Sequence, residues 1–210
     1  MSKNLIKAGY EVVVYNRSPK AIQELVQAGA EAGDSPKDVA ERCEIIITML
    51  PNSPNVQEVI LGPNGVLEGV RPGSIVIDMS SIAPTTSRDV AQALGDKSVR
   101  FLDAPVSGGE PKAIEGSLSI MVGGELADFE ECYPILQAMG SSALLCGDVG
   151  AGNITKLANQ VIVAINIAAV SEALMLVSKA GVNPETVYKA IRGGLAGSGG
   201  LAGRGGGLAG

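Results

Sequence analysis

One lysine is placed where it could transfer a proton. The segment GAGNITKLANQ, residues 150–160, opens an apolar helix and carries Lys156 and Asn159 three residues apart, on one helical face. An ammonium group stabilises developing negative charge and transfers a proton when its surroundings lower its pKa. The sequence contains no histidine, which excludes Ser-His-Asp and Cys-His catalysis and His-ligated zinc. Lys156 could therefore take part in chemistry at this helix start, and an ordinary helix-surface lysine is the alternative.

A second segment could bind an anion. In DAPVSGGEPKAIEGSLSIMVGG, residues 103–124, an apolar run is followed by Ser107, Gly108 and Gly109. Consecutive backbone N–H groups in such a loop can be presented to a carboxylate. In an open parallel sheet, the loops that follow the carboxyl ends of the strands form the ligand crevice. A plain glycine turn is the alternative reading.

The end of an early strand bears on cofactor choice. Asn16, which ends the run EVVVYN at residues 11–16, is followed by Arg17 and Ser18. An acidic residue here would bind the ribose hydroxyl of NAD, whereas an arginine accommodates the additional phosphate of NADP. Arg17 therefore favours NADP over NAD, with a solvated turn arginine as the alternative.

Composition narrows the function classes. The 210 residues carry a net charge of −6 and six Phe and Tyr residues, which argues against a nucleic-acid surface built on basic patches or stacking platforms. Three widely spaced cysteines, Cys43, Cys132 and Cys146, indicate neither a disulfide framework nor a thiolate metal site. No metal ligand set is expected.

The elements that must position these residues alternate between apolar runs and helices. Strands are expected in EVVVYN, EIIITML, SIVIDMS, VRFLDAPV, LSIMVGG and SALLC, with helices between most of them. Continuous Val/Ile runs alternating with helices indicate a mostly parallel sheet covered on both faces. The expected fold is α/β, doubly wound and Rossmann-like. The chain opens with a helix at residues 2–8, and the glycine loop GxGxxG does not occur in residues 1–192. Either the fold does not bind a dinucleotide, or the sheet lacks its first strand and this loop.

Three regions follow from this pattern. Residues 1–150 form the Rossmann-like domain, and residues 151–192 form a long helix and the start of a helical domain. Residues 193–210 are a glycine-rich tail with too little apolar surface to fold, so we expect disorder there. The long helix is apolar nearly all round, which favours burial between domains or subunits over a membrane span. No signal peptide is apparent.

The chain resembles the β-hydroxyacid dehydrogenase family. The segments at 103–124 and 150–160 carry the resemblance, which runs from Met1 to about Ser198. It implies a Rossmann domain that binds NADP or NAD, a long interdomain helix and a helical C-terminal domain, assembled as homo-oligomers. It also implies a truncation at both ends, because the first strand, the glycine loop and most of the C-terminal domain have no counterpart here.

The resemblance also implies residue roles. Lys156 corresponds to the catalytic lysine, and Ser107, Gly108 and Gly109 to the loop that binds the substrate carboxylate. Asn159 corresponds to a substrate-binding asparagine, although the family often has this asparagine one residue later, where this chain has Gln160. The cofactor-binding positions are Asn16, Arg17, Leu50, Pro51 and Ser81.

The implied reaction interconverts a 3-hydroxy acid and its semialdehyde. MSKNLIKAGY, MLPNSP and IRGGLAGS are most similar to the branch that reduces tartronate semialdehyde to glycerate. A 3-hydroxyisobutyrate dehydrogenase and a non-catalytic fragment on the same scaffold are the alternatives. We expect a cytoplasmic protein with a small carboxylate-bearing substrate, no nucleic-acid or membrane partner, and poor activity for the 210 residues alone.

Overall fold

The computed structural model describes residues 1–194 and Ala196. The chain divides into two compact units, Met1–Lys156 and Leu157–Gly210. Apart from Gly193, Gly194 and Ala196, the tail expected to be disordered lies outside the described residues.

Helices and strands alternate through the first unit. Its helices are α1 (Ser2–Lys7), α2 (Pro19–Val26), α3 (Pro36–Arg42), α4 (Ser53–Leu61), α5 (Val66–Gly69), α6 (Pro84–Gly95), α7 (Gly109–Glu115) and α8 (Leu126–Met139). Its strands are β1 (Val13–Val14), β2 (Glu31–Ala32), β3 (Ile45–Thr48), β4 (Ile75–Asp78), β5 (Arg100–Asp103), β6 (Val106–Ser107), β7 (Leu118–Gly123) and β8 (Gly140–Gly147). Helix α9 (Ala151–Lys179) begins in this unit, and α10 (Pro184–Ile191) belongs to the second.

The strands form two sheets. β1 and β2 pair in parallel, and a six-stranded sheet has the order β3-β4-β5-β7-β6, with β8 paired to β7. β3, β4 and β5 are parallel, whereas β7 runs antiparallel to β5 and parallel to β8. Within the described residues no ladder joins β1 to β3, as expected of a doubly wound sheet without its first strand. The α/β, mostly parallel Rossmann-like fold is therefore confirmed.

Local sequence explains where several helices begin. Proline occupies the first turn of α2, α3 and α6, where its missing N–H has no intrahelical partner to lose. Ser35 Oγ accepts a 3.0 Å hydrogen bond from Asp38 N at the start of α3, and Asn52 Oδ1 accepts one from Asn55 N at the start of α4. These caps fix the positions at which the chain turns back from the ends of the strands.

Two apolar clusters cover the faces of the six-stranded sheet. One contains Ile75 and Ile77 and packs against α8 through Leu136 and Met139. The other contains Val76 from the opposite face of β4 and packs against helices α3, α4 and α6. Because alternate residues of β4 enter opposite clusters, this strand is buried on both sides, as its continuous apolar sequence predicts.

One predicted strand is interrupted. The run VRFLDAPV forms β5 and β6, which are separated by Ala104 and Pro105. Pro105 has no N–H for a ladder, and the chain there leaves the parallel β4 and pairs with the antiparallel β7. After the break, Val106 and Ser107 pair with β7, the strand that also pairs with Asp103.

The expected burial of the long helix between domains or subunits stays a prediction, because the described residues of one chain supply no surface that covers it. Many large apolar side chains of α9 are exposed, with Leu176 71% accessible. The described part of the second unit offers only α10, a helix of eight residues, as a further element, and burial on all sides needs more apolar surface than that. By length and composition alone α9 could also cross a membrane. This is weak evidence for a membrane span, because core helices of soluble proteins meet the same criteria.

Candidate functional site

Three polar side chains align at the carboxyl ends of the central strands. The strand register places Thr48 beside Asp78 and Asp78 beside Asp103. All three residues are buried, and both aspartates are fully so. Loops that follow this edge of a parallel sheet commonly form the ligand crevice, so these side chains lie directly beneath the expected cofactor and substrate loops.

Asp78 organises two of these loops. Its Oδ1 accepts hydrogen bonds from Thr48 Oγ1 at 2.8 Å and from Ser80 Oγ at 2.6 Å. Ser80 Oγ in turn accepts a 2.8 Å hydrogen bond from the backbone N–H of Leu50. One chain of hydrogen bonds therefore joins Leu50 to the loop that carries Ser81. The other carboxylate oxygen of Asp78, Oδ2, is buried without a hydrogen-bond partner among the described residues.

Burial raises the pKa of Asp78, the hydroxyl hydrogen bonds oppose that rise, and the nearby Asp103 adds to it. The folded protein therefore binds a proton at Asp78 more tightly than the unfolded chain, whose aspartates have a pKa of about 3.9. The stability that protonated Asp78 contributes is present below that value and is lost as the pH rises through the folded-state pKa.

Asp78→Asn is expected to be at least as stable as the wild type at pH 7. At pH 4 its free energy of unfolding relative to the wild type is expected to be lower than at pH 7. The asparagine retains an acceptor for Thr48 and Ser80 and has no charge to desolvate, and each unit of pKa rise corresponds to about 1.4 kcal/mol. Urea unfolding of both proteins at the two pH values measures the difference. A variant destabilised equally at both would show that Asp78 is not held with a raised pKa.

Asp103 holds the start of α9. Its Oδ1 accepts a 2.6 Å hydrogen bond from Gly150 N, and its Oδ2 accepts one of 2.8 Å from Asn153 N. A carboxylate at these otherwise unpaired N–H groups also interacts favourably with the helix dipole. Burial raises the pKa of Asp103, and the N–H donors from Gly150 and Asn153 oppose the rise. The last residue of β5 therefore anchors the helix that carries Lys156.

Two glycines allow this close approach. A Cβ at Gly152 would lie 2.5 Å from Met121 O and 2.6 Å from Asp103 O, and one at Gly123 would lie 2.4 Å from Asp103 Oδ1. Both positions must lack a side chain if the helix is to start against the sheet.

Lys156 is one helical turn beyond Asn153. It is half-buried, and this burial lowers the pKa of its amine. A lysine with a lowered pKa both donates and accepts a proton more readily near neutral pH. Its local environment thus suits the acid/base role that the sequence predicts.

The predicted carboxylate loop follows β5 and the break at Pro105. Ser107 ends β6, and Gly108 and Gly109 are exposed with φ angles of 145° and 67°. These values lie in the region that favours glycine, and a Cβ at Gly108 would approach the Cβ of Lys112 to 2.7 Å. The backbone at both glycines is therefore open to solvent, as an anion-binding loop requires.

The predicted cofactor residues occupy two places. Leu50, Pro51 and Ser81 lie at the ends of β3 and β4, with Pro51 and Ser81 exposed. Asn16 and Arg17 follow β1 in the two-stranded sheet, where Asn16 Oδ1 accepts a 2.9 Å hydrogen bond from Ser18 N. Arg17 is exposed, and its guanidinium forms no hydrogen bond or ion pair with another described residue.

Asn159 belongs to the second unit, whereas Lys156 ends the first. Within its unit, Asn159 Nδ2 donates a 3.1 Å hydrogen bond to Gln160 Oε1. Its substrate-binding role stays a prediction. Among the residues that the structure describes, no group of three acidic or cysteine side chains is arranged to hold a metal.

Sequence reasoning missed the residues beneath the loops. Asp78, Asp103 and Asn153 are buried and connect the predicted site residues to the sheet. The available signal was that both aspartates end apolar strands, because an acid at the end of a buried strand needs a partner in the next loop. The identity of those partners depends on tertiary contacts that spacing does not reveal.

Comparison with family models covers nearly the whole chain. Residues 1–150 match the NAD-binding domain of 6-phosphogluconate dehydrogenase. Residues 150–206 match a model described as the NAD-binding region of NADP-dependent 3-hydroxyisobutyrate dehydrogenase.

Individual relatives are similar over about two thirds of their length or less. The chain is 44% identical over 198 residues to 2-hydroxy-3-oxopropionate reductase of Escherichia coli K12, which covers 94% of this chain and 68% of that protein. It is 41% identical to mitochondrial 3-hydroxyisobutyrate dehydrogenase of Rattus norvegicus, over 91% of this chain and 57% of the relative. The structure of Mycobacterium tuberculosis 3-hydroxyisobutyrate dehydrogenase with L-serine superposes with a TM-score of 0.85 at 31% identity, covering 93% of this chain and 66% of that one.

Proposed function

We propose a function from one premise: the chain belongs to the β-hydroxyacid dehydrogenase family. Members of this family are NAD(P)-dependent oxidoreductases that act on small hydroxy acids. We propose that this chain interconverts a 3-hydroxy acid and its semialdehyde, with tartronate semialdehyde reduced to glycerate as the principal reaction.

The observation that carries the proposal is the double role of Asp103. Its carboxylate holds the first turn of the helix that bears Lys156, and the chain reaches Ser107 four residues after it. The helix that carries Lys156 is therefore hydrogen-bonded to the end of β5, and the carboxylate loop follows that end along the chain. A substrate whose carboxylate binds at Ser107, Gly108 and Gly109 would be held by the same sheet edge that fixes the lysine helix.

The chemistry divides between cofactor and protein. When bound, a reduced nicotinamide would supply a hydride to the aldehyde carbon of the substrate. In that step Lys156 donates a proton from its ammonium to the carbonyl oxygen, so that an alcohol forms and a neutral amine remains, which solvent reprotonates. In oxidation the amine accepts the hydroxyl proton. Ser107 and the glycine N–H groups orient the substrate carboxylate, which aligns the reacting carbon.

The predicted cofactor residues suit a dinucleotide at the sheet edge and at the additional phosphate of NADP. Exposed Pro51 and Ser81 follow neighbouring parallel strands at the edge where such cofactors bind. The guanidinium of Arg17, which follows β1 and has no partner among the described residues, suits the additional phosphate of NADP. Residues 1–192 contain no GxGxxG turn for the pyrophosphate. We therefore also propose that the 210 residues alone bind cofactor weakly and turn over slowly.

Arg17→Ala is expected to weaken NADPH binding roughly tenfold and to leave NADH binding unchanged, since a charge-assisted contact contributes about 1.5 kcal/mol or more. Fluorescence titration of both nucleotides measures the effect. Lys20→Ala, an exposed cation at the start of the next helix, is the matched control. Equal loss of NADPH and NADH affinity, or equal loss in the control, would count against recognition of the phosphate.

Substrate choice is tested by comparing kcat/KM for the two candidate semialdehydes. We expect a higher kcat/KM for tartronate semialdehyde than for the semialdehyde of 3-hydroxyisobutyrate, measured side by side with NADPH. The opposite order would favour a 3-hydroxyisobutyrate dehydrogenase, the second candidate, which the family model over residues 150–206 supports by its description.

A binding protein without catalysis is the remaining alternative. Retention of both Lys156 and the Ser107–Gly109 loop argues against it, because a non-catalytic scaffold has no need of an acid/base. Absence of NADPH binding in a titration of the chain would support it. A cytoplasmic location and homo-oligomeric assembly are part of the proposal, and size-exclusion chromatography with light scattering tests the assembly.

A further inference from the structure

The side chain of Asn153 joins three segments of the first unit. It is 1% exposed. Its Oδ1 accepts a 3.0 Å hydrogen bond from the backbone N–H of Ile82, and its Nδ2 donates one of 3.1 Å to Ser87 Oγ on α6. The same Nδ2 lies 3.5 Å from Asp103 Oδ2. Each polar atom of this amide is therefore used in a contact outside its own helix.

The joined segments carry two of the residues assigned to the reaction. Ile82 directly follows Ser81 in the loop after β4, and Lys156 lies three residues after Asn153 in α9. The 80–83 loop is also held from its other side, since Ser80 binds Leu50 N and Ser53 Oγ accepts a 3.1 Å hydrogen bond from Ala83 N. Asn153 supplies the connection between this loop and the lysine helix.

Helix capping does not account for the side chain. The N–H groups of Gly150 and Asn153 bind the carboxylate of Asp103 and not the amide of Asn153. Removal of the Asn153 side chain leaves these two backbone contacts in place. The helix start and the loop are thus held by separate groups, Asp103 for the first and Asn153 for the second.

We propose that Asn153 is a positioning residue that sets the location of Lys156 relative to the cofactor loop at residues 80–83. The assignment rests on the proposed function, in which this loop contacts the nicotinamide cofactor and Lys156 transfers the proton. Asn153 itself touches neither substrate nor cofactor and acts through Ile82 and the first turn of α9.

The first test follows the amide of Ile82 by hydrogen exchange in the full 210-residue chain. Asn153→Ala is expected to accelerate exchange at Ile82 about fivefold or more, because the N–H loses its buried acceptor. Ser87→Ala removes one partner of Nδ2 but retains the Oδ1 acceptor, so it serves as the matched control and is expected to leave Ile82 protected. Unchanged protection in Asn153→Ala would overturn the proposed connection.

The second test follows Lys156 by acetylation, with the modified peptide quantified by mass spectrometry as a function of pH. Asn153→Ala is expected to move the labelling midpoint of Lys156 upwards, towards the ordinary lysine value of about 10.4, because a loop at residues 80–83 that is no longer tied to α9 lets water reach the amine. Ser87→Ala is expected to keep the wild-type midpoint. A purely structural role would lower the unfolding midpoint in urea without moving this pH profile, and that result would overturn the proposal.

Addition of NADPH separates this inference from the proposed function. NADPH is expected to change the labelling rate of Lys156 in the wild type and to leave it unchanged in Asn153→Ala, although both bind. Failure of the wild type to bind NADPH would count against the proposed function, while the exchange and pH profiles would still decide the role of Asn153. Asn153→Ser, which also cannot reach Ile82 N, replaces the alanine variant if that variant does not fold, with the same expected and contrary results.

Discussion

Lys156→Ala is expected to lower turnover at least about 100-fold while NADPH binding and the free energy of unfolding stay near their wild-type values. Positioned proton transfer contributes roughly 10² to 10⁴ in rate, and no histidine in the sequence can replace the lysine. Alanine favours helix, and the lysine forms no hydrogen bond or ion pair with another described residue, so α9 should persist. Loss of NADPH absorbance with tartronate semialdehyde measures turnover.

Two further variants make this result specific. Lys179→Ala removes an exposed lysine from the last turn of the same helix and is expected to retain full turnover. Lys156→Arg keeps the positive charge but cannot release a proton near neutral pH, so it should be nearly as slow as alanine. Near-normal turnover in Lys156→Ala would remove the acid/base assignment, and near-normal turnover in Lys156→Arg would reduce the lysine to an electrostatic role.

Asp103→Asn is expected to destabilise the first unit by roughly 2 to 4 kcal/mol. Both carboxylate oxygens of Asp103 accept buried N–H groups, from Gly150 and Asn153. An amide in the same place turns an NH₂ group towards one of those donors, so that two donors face each other without an acceptor. Urea unfolding at pH 7 measures the loss of stability, and exchange of the Gly150 and Asn153 amides locates it.

Asp78→Asn is the internal comparison. It is the same chemical change at an adjacent, equally buried position in the sheet register, but Asp78 Oδ2 has no donor to lose among the described residues. The two variants should therefore differ in sign or by several kcal/mol at pH 7. Equal effects would show that hydrogen-bond direction does not decide the response at these two positions.

The fold was largely predictable because its strands have clear sequence patterns. Continuous apolar runs such as EIIITML and SIVIDMS became β3 and β4, of which β4 is buried on both faces and β3 is buried on one and half-buried on the other. Proline and small polar residues marked the starts of the helices between them. The antiparallel β7 was not predictable in direction, because strand polarity depends on the connection through Pro105 and not on local composition.

The site was predictable only in part, and the reason is physical. Ser107, Gly108 and Lys156 occur in recognisable motifs, so resemblance located them. The buried groups that hold them were not located, because a carboxylate and the N–H groups that it binds can be about 50 residues apart, as Asp103 and Asn153 are. Exposure of α9 could not be read from its composition either, since an apolar helix does not specify which surface covers it.

The carboxylate of Asp103 also bears on how genes of this family should be recombined. The two matching family models meet at residue 150, which makes that position an inviting crossover for chimeras. A crossover there would take Asp103 and Met121 from one parent and Gly152 and Asn153 from the other, and any mismatch would bury an unpaired charge or force a Cβ into the backbone. The segment that should come from one parent therefore ends after Lys156, where the compact unit ends. A chimera library with its junction there should contain more folded members than one with its junction at residue 150.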